Sequence, residues 1–268
     1  MLIVFIFGET YLVTKDIVPT LERKIGITLS PFLREKIRIL EDCFINELWR
    51  YIPEKINKIS IDASTTSNEL EVLIKKSNLP IISLDRVYLN NANEYLETTR
   101  ITDQNTGEMT IASRPGNPSL EEQISKIKKY SEIGLVDVGA FGGDTLLEVC
   151  DLFEDNKINI EEIFLGYSDT KTNEKISKTR KVSTLNLFEF YEWIELRDLF
   201  GIDGRRIANQ TDCFIPYWEN LTEWANIAPK YEEQVKDLCK NYNNKLLGLL
   251  TKEDVKKIGK PVSYGGIR

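Results

Sequence analysis

The chain has 268 residues, 41% of them hydrophobic, which is the composition of an ordinary globule with room for one large domain or one domain plus a substantial appendage. Its net charge of -7 argues against binding nucleic acid or a membrane through a general positive field. It contains no histidine, which excludes His-activated nucleophiles, His acid–base catalysis and His-bearing metal sites.

Any catalysis therefore falls to carboxylates, Lys, Arg, Tyr, hydroxyls, backbone groups or a bound metal. The cysteines Cys43, Cys150, Cys213 and Cys239 are scattered and form no C-x-x-C pair, as expected of buried thiols in a reducing compartment. The apolar start, Met1 to Gly8, is short, lacks a basic flank and runs into Glu9, so it predicts a strand rather than a signal peptide or a membrane span. A cytoplasmic location is the expectation.

In chain order, residues 2–14 predict one or two buried strands hinged at Gly8-Glu9. Residues 16–27 and 31–51 carry helical patterns, the second opened by Ser30-Pro31 and ended by Pro53. Residues 56–62 alternate like a strand, followed by a Ser/Thr-rich loop at 63–67 and a helix from Glu69 to Lys76. A further strand is predicted over 79–89. This β-loop-α-β unit calls for a parallel sheet with a right-handed crossover, and it places the 63–67 loop at a carboxyl end of the sheet, where open α/β sheets bind ligands.

Residues 95–102 and 109–114 are β-rich, with turn signals at 103–107 between them, and predict a hairpin standing out from the parallel sheet. Ser119 with Glu122 forms a capping box at the head of a helix over 119–129. A strand is predicted from Ile133, ending at Asp137, then another over 158–165. A mobile loop or short helix is expected over 171–181, and a last strand near 181–185. The stretch 187–200 reads as an amphipathic helix, 201–206 as a turn, and the remainder as irregular and helical with few strands.

The most informative stretch is 133–149. An apolar run ends at Asp137, then Gly139, Gly142 and Gly143 precede Asp144, Thr145 and a helix-like Leu146-Leu147-Glu148-Val149. Glycines let main chain approach a ligand closely, and the free N–H groups and dipole of a helix start favour an anion such as phosphate. A carboxylate at the strand end can hold a ribose hydroxyl or a hydrated Mg²⁺. The plain alternative is an ordinary βα turn with Asp144 or Thr145 as N-cap.

Two resemblances meet on these residues. Leu135-Val136-Asp137 with Gly142-Gly143 and Thr145 resembles the PRPP-binding motif of the type I phosphoribosyltransferase family, although Val138 replaces the second acid, Ala140 and Phe141 replace the loop threonines, and Asp144 intrudes. Asp137-Val-Gly-Ala-Phe-Gly-Gly-Asp-Thr145 is similar in wording to the first motif of FkbM-type SAM-dependent methyltransferases. A methyltransferase sheet puts most of its strands after this motif, and few are predicted there. The order of predicted elements over 55–170 resembles the phosphoribosyltransferase order instead.

That resemblance implies an α/β fold with an open, mainly parallel sheet, a β-hairpin hood and a helix-rich C-terminal region. It divides the chain into a phosphoribosyltransferase-like domain over 1–185 and a helical, aromatic-rich region over 186–268. It implies that Gly139, Gly142, Gly143, Asp144 and Thr145 cradle a 5′-phosphate and that Asp137 faces the ribose hydroxyls and Mg²⁺. Ala63, Ser64 and Thr65 would meet pyrophosphate with Arg86, and the hairpin with Arg100 and Arg114 would close over the site. The ligand would be PRPP or a nucleotide with Mg²⁺, the acceptor a nucleobase, and the assembly either a homodimer or a complex with a protein partner. The alternatives left open are a SAM-binding methyltransferase and an inactive α/β module acting through a protein partner, as in a defence or toxin system.

Overall fold

The computed structural model describes residues 4–102, 109–114, 117–207 and 210–263. The expected hairpin turn at 103–107 and Pro115-Gly116 lie outside the described residues, as does the end of the C-terminal tail from 264.

The chain opens with strand β1 (Val4–Lys15) and helices α1 (Ile17–Ile25) and α2 (Pro31–Leu48). Ser30 caps α2 by accepting the Leu33 N–H at 3.2 Å, and Pro31 occupies the first turn, where its missing N–H costs nothing. Next come β2 (Asn57–Asp62), α3 (Ala63–Ile74), β3 (Ile81–Ser83), β4 (Glu94–Tyr95), β5 (Thr98–Thr102), β6 (Met109–Ser113) and α4 (Leu120–Ile127). The capping box of α4 is complete: Ser119 Oγ accepts the Glu122 N–H at 3.2 Å, and the Glu122 carboxylate accepts the Ser119 N–H at 3.1 Å.

The central segment is β7 (Glu132–Ala140), α5 (Asp144–Asp155), β8 (Asn159–Asp169), α6 (Thr170–Ser177) and β9 (Lys181–Glu195). The chain ends with α7 (Leu196–Leu199), β10 (Arg205–Ile207), β11 (Gln210–Ile215), α8 (Leu221–Trp224), α9 (Glu232–Leu247), α10 (Lys252–Ile258) and β12 (Lys260–Pro261).

The fold is α/β. A curled, parallel seven-stranded sheet has the order β2-β1-β9-β8-β7-β3-β4 and is flanked by helices. A second sheet has the order β12-β11-β10-β5-β6.

Two compact units alternate along the chain. The first gathers residues 64–100 and 109–190 with the start of β1. Its core lies between β3, β7 and β8 and helices α4, α5 and α6, and includes Leu135, Val149, Phe153 and Leu165. The second gathers residues 9–63 and the chain from 191 onward, and its core joins Ile17, Phe44, Phe200, Leu221 and Tyr242. In this second unit Asp16 Oδ1 accepts the Arg197 N–H at 3.0 Å and Oδ2 lies 3.2 Å from Arg197 Nε, both side chains buried. Arg197's carbonyl in turn accepts the N–H groups of Ile202 and Asp203. Gly201 stands at φ +58° with the Trp218 ring occupying the place where a Cβ would be. The segment Arg197–Arg205 is thus an internal clasp.

Several expectations are corrected. Residues 63–67 are not a loop: β2 passes directly into α3, whose first residue Ala63 is buried, and Thr66 spends its hydroxyl on Tyr167 Oη. Residues 187–195 are strand, not helix. Leu187, Tyr191 and Ile194 satisfy helical spacing, but Phe188, Phe190, Tyr191, Trp193 and Ile194 are strand-favouring, and a strand covered on both faces need not alternate. The hairpin strands lie outside the parallel sheet as expected, and β5 also pairs in parallel with β10 in the second sheet, Ile101 opposite Arg206. The C-terminal region is helix-rich as expected, with three short strands, β10, β11 and β12. Strand β7 does not stop at Asp137 but continues to Ala140. Finally, β2 and β3 are not neighbours; four strands separate them in the sheet.

Candidate functional site

In the first unit, β7 lies between β3 and β8, in register with both: Val136 stands opposite Ser83 on one side and Phe164 on the other. From β3 the chain moves outward to β4, and from β7 it moves outward the other way to β8. The strand order therefore reverses between β3 and β7. In open α/β sheets a crevice opens at such a point, outside the carboxyl ends of the strands, and ligands bind there. Here it is flanked by the turn after β3, from Leu84, and by the glycine turn after β7. The β3–β7 ladder ends at Ser83 opposite Val136, and the Leu84 N–H still donates to the Val136 carbonyl at 3.0 Å.

The glycine turn is shorter than the sequence suggests, because Gly139 lies within β7 and only Gly142 and Gly143 follow the strand. Phe141 and Gly142 are exposed, and Gly143 caps α5 at φ +80° with no side-chain hydrogen bond to the helix start. A Cβ on Gly143 would sit 2.8 Å from Thr172 Cγ2, so glycine is required there by backbone and by space. Gly142 is different: among the described residues a Cβ there would meet only Asp144 Oδ2 at 3.4 Å, an ordinary contact. The Thr172 hydroxyl donates to the Phe141 carbonyl at 2.6 Å and ties the turn to α6. Asp144 is exposed at the first position of α5. Thr145 Oγ1 accepts from Arg100 Nε. The first-turn N–H groups of a helix have no intrahelical acceptors and carry partial positive charge, so a guanidinium beside them is of the wrong sign unless a negative charge stands with it.

Asp137 is half-buried and opposite Leu165, with Oδ1 accepting the Val138 N–H at 2.8 Å. Val138 is buried, and Gly139 is half-buried opposite Tyr167. Ser64 and Thr65 are exposed in the first turn of α3 rather than in a loop, next to Thr66, whose hydroxyl meets Tyr167 opposite Gly139. The acid before them, Asp62, lies 3.2 Å from Lys15. The acid at the end of β8, Asp169, caps α6 by accepting the N–H groups of Lys171 and Thr172.

Arg86 and Arg114 are brought together by two acids that sequence reasoning passed over. Asp85 and Glu97 are 4% and 1% exposed, deep for carboxylates. Asp85 Oδ1 accepts the Val87 N–H at 2.8 Å, and its Oδ2 accepts from Arg114 Nη1 at 3.3 Å. Glu97 Oε1 accepts from Arg86 Nε at 2.7 Å, and its Oε2 lies 3.7 Å from Arg114 Nε. Arg114 also donates to the Thr98 carbonyl, and the Arg86 guanidinium lies 3.7 Å over the Tyr95 ring. Two guanidiniums face two carboxylates, so this cluster is close to neutral. The adjacency of Asp85 to Arg86 was the available signal, but a strand read through to Leu89 concealed it.

Among the described residues no group of three or more Asp, Glu or Cys could hold a metal ion. At the β7 turn the carboxylates are those of Asp137 and the exposed Asp144. Mg²⁺ is commonly held by one or two carboxylates together with phosphate oxygens, so Asp137 would hold the ion only in company with a ligand's own oxygens. Among the described residues no helix is long and apolar enough to cross a membrane. No family model matches the chain, and no curated protein matches it either.

Proposed function

We propose that the first unit binds PRPP or a nucleotide 5′-phosphate, with Mg²⁺, in the manner of a phosphoribosyltransferase, the reaction class being transfer of phosphoribosyl to or from a nucleobase-type acceptor. The observation that carries the reading is the glycine turn at the sheet's reversal point, with Arg100 held against Thr145 at the start of α5. The 5′-phosphate would take the N–H groups of Gly142 to Thr145, and the ribose hydroxyls would face Asp137. Gly142, which the chain's own packing does not require, leaves room for main chain to approach that phosphate.

Pyrophosphate would be met by the turn after β3, which flanks the glycine turn, while Ala63, Ser64 and Thr65 open α3, whose Thr66 hydroxyl meets Tyr167 opposite Gly139. In this reading Arg86, the more exposed of the two arginines, exchanges Glu97 for pyrophosphate, while Arg114 stays with Asp85 and the Thr98 carbonyl.

A melting experiment tests this. A ligand at 100 times its Kd stabilises by about 2.7 kcal/mol, a rise of roughly 5–10 °C for a chain of this size. PRPP or a nucleoside monophosphate with Mg²⁺ should raise Tm by that order, and Asp137→Ala should remove the rise. A flat response to both ligands sinks the reading.

Two other readings each have an observation behind them. The wording of Asp137–Thr145 favours a SAM methyltransferase, but only β8 and β9 of the main sheet follow β7, and Asp169 is spent on capping α6. A heat signal with SAH in calorimetry would revive it. The near-neutral Arg86–Arg114 cluster and Val138 favour an inactive module acting through a partner, including a second copy of the chain. That reading expects no small-molecule shift and a stable complex on size exclusion.

A further inference from the structure

Phe141 is an unexpected residue in a turn that otherwise consists of glycines. It is a large apolar side chain left 41% exposed at the carboxyl end of β7. Its ring is the outer end of a run of aromatic rings that begins in the core of the first unit. Tyr167 and Phe188, both buried, have centroids 6.1 Å apart; Phe188 and Phe190 stack at 5.3 Å and 29°; Phe190 meets Phe141 edge-on at 5.4 Å and 66°. The Phe141 main chain is tied by the Thr172 hydroxyl, and its ring is seated on Phe190. The ring is therefore preorganised, with part of its surface in water.

We infer that Phe141, backed by Phe190, is a stacking platform for a planar nucleobase. The inference rests on the proposed phosphate site and narrows its ligand from a sugar phosphate to a base-bearing nucleotide. Phe141 precedes Asp144 by three residues, a span of at most about 10 Å of chain, which is the scale on which a nucleoside monophosphate separates base from phosphate. A base stacked on an aromatic side chain gains enough to matter and is held without regard to its hydrogen-bonding edge. This predicts a site that prefers a nucleotide to ribose 5-phosphate while discriminating weakly among bases.

Calorimetry on the full chain with Mg²⁺ separates the two claims. Ribose 5-phosphate probes the phosphate site alone; AMP, GMP and UMP add the base. The inference expects each monophosphate to bind about tenfold or more tighter than ribose 5-phosphate, the range that stacking supplies. Phe141→Leu, which keeps apolar bulk on Phe190 but loses the π face, should erase that difference and leave ribose 5-phosphate unchanged. Phe141→Trp should widen it. Equal affinity of monophosphates and ribose 5-phosphate, or a preference untouched by Phe141→Leu, overturns the platform and leaves the phosphate site standing. No binding of ribose 5-phosphate or of any monophosphate overturns both.

Discussion

Arg100 donates through Nε to the hydroxyl of Thr145, which places a guanidinium beside the positive end of the α5 dipole. Without a ligand this arrangement gains little, since the exposed arginine faces partial charges of its own sign. With a phosphate on the first turn of α5 the same guanidinium becomes a charge-assisted partner. Arg100→Gln should therefore leave the melting temperature of the free protein within about 1 °C, as for a surface change worth under about 0.5 kcal/mol. The same variant should weaken ribose 5-phosphate binding about tenfold, the low end for hydrogen bonds to charged groups. Calorimetry at two salt concentrations checks it, and an unchanged Kd would separate Arg100 from the phosphate.

Asp144 is the residue that most departs from a phosphate cradle. Its Oδ2 would lie 3.4 Å from a Cβ on Gly142, so the carboxylate turns back over the glycine turn, where an anion would approach. It supports α5 electrostatically and opposes any incoming phosphate. Asp144→Asn is expected to cost about 0.3–1 kcal/mol in the free protein, the usual value of an acid at a helix start. It should tighten ribose 5-phosphate binding several-fold, most strongly at low salt. Stabilisation lost with no gain in affinity would mean that the carboxylate lies clear of the ligand.

The parts of this fold that could be read in the sequence are those set by neighbouring residues. Ser30 with Pro31, Ser119 with Glu122, and the turn at Gly142-Gly143 each carry their cause within a few positions. What escaped is non-local. Both β2 and β3 read as strands, and nothing within either reveals that β3, not β2, pairs with β7. That pairing decides which turn flanks the glycine turn, namely the segment after Ser83. The partners of Arg86 and Arg114 were hidden for the same reason: Glu97 and Asp85 are brought to them by chain reversals, not by spacing. The stretch 187–195 failed differently. Its apolar residues fit both periods, and the strand is fixed by pairing with β8, a partner distant in sequence.

Gly143 offers a test of the turn that needs no ligand. Two separate effects oppose a side chain there: the left-handed backbone at φ +80°, worth about 1–2 kcal/mol, and Thr172 Cγ2 at 2.8 Å. Gly143→Ala should lower stability by more than the backbone effect alone. Thr172→Ser in the same chain removes the crowding methyl but keeps the hydroxyl on the Phe141 carbonyl. The double variant should recover the crowding part and retain a deficit of about 1–2 kcal/mol. Full recovery in urea denaturation would show that the backbone at Gly143 relaxes.

Glu41 links stability to pH in the second unit. It is 2% exposed on α2, and its Oε1 accepts the N–H of Ile17 at 3.1 Å, at the start of α1. Burial pushes its carboxyl up to about 8, against the smaller opposing pull of the Ile17 N–H and Lys15. An unfolded Glu titrates near about 4.3. Between these values the folded chain holds a proton that the unfolded chain has released. Glu41's contribution is thus full below about pH 4 and is lost as pH rises toward 8, with a slope of at most about 1.4 kcal/mol per pH unit. Glu41→Gln keeps a carbonyl oxygen for Ile17 and removes the titration. The variant should match the wild type near pH 4, gain on it steadily as pH rises to 8, and hold a constant advantage above that. Melting temperatures of the two proteins across pH 4–9 measure the difference directly, and an offset that does not change with pH would mean that Glu41 is ionised in the folded chain throughout.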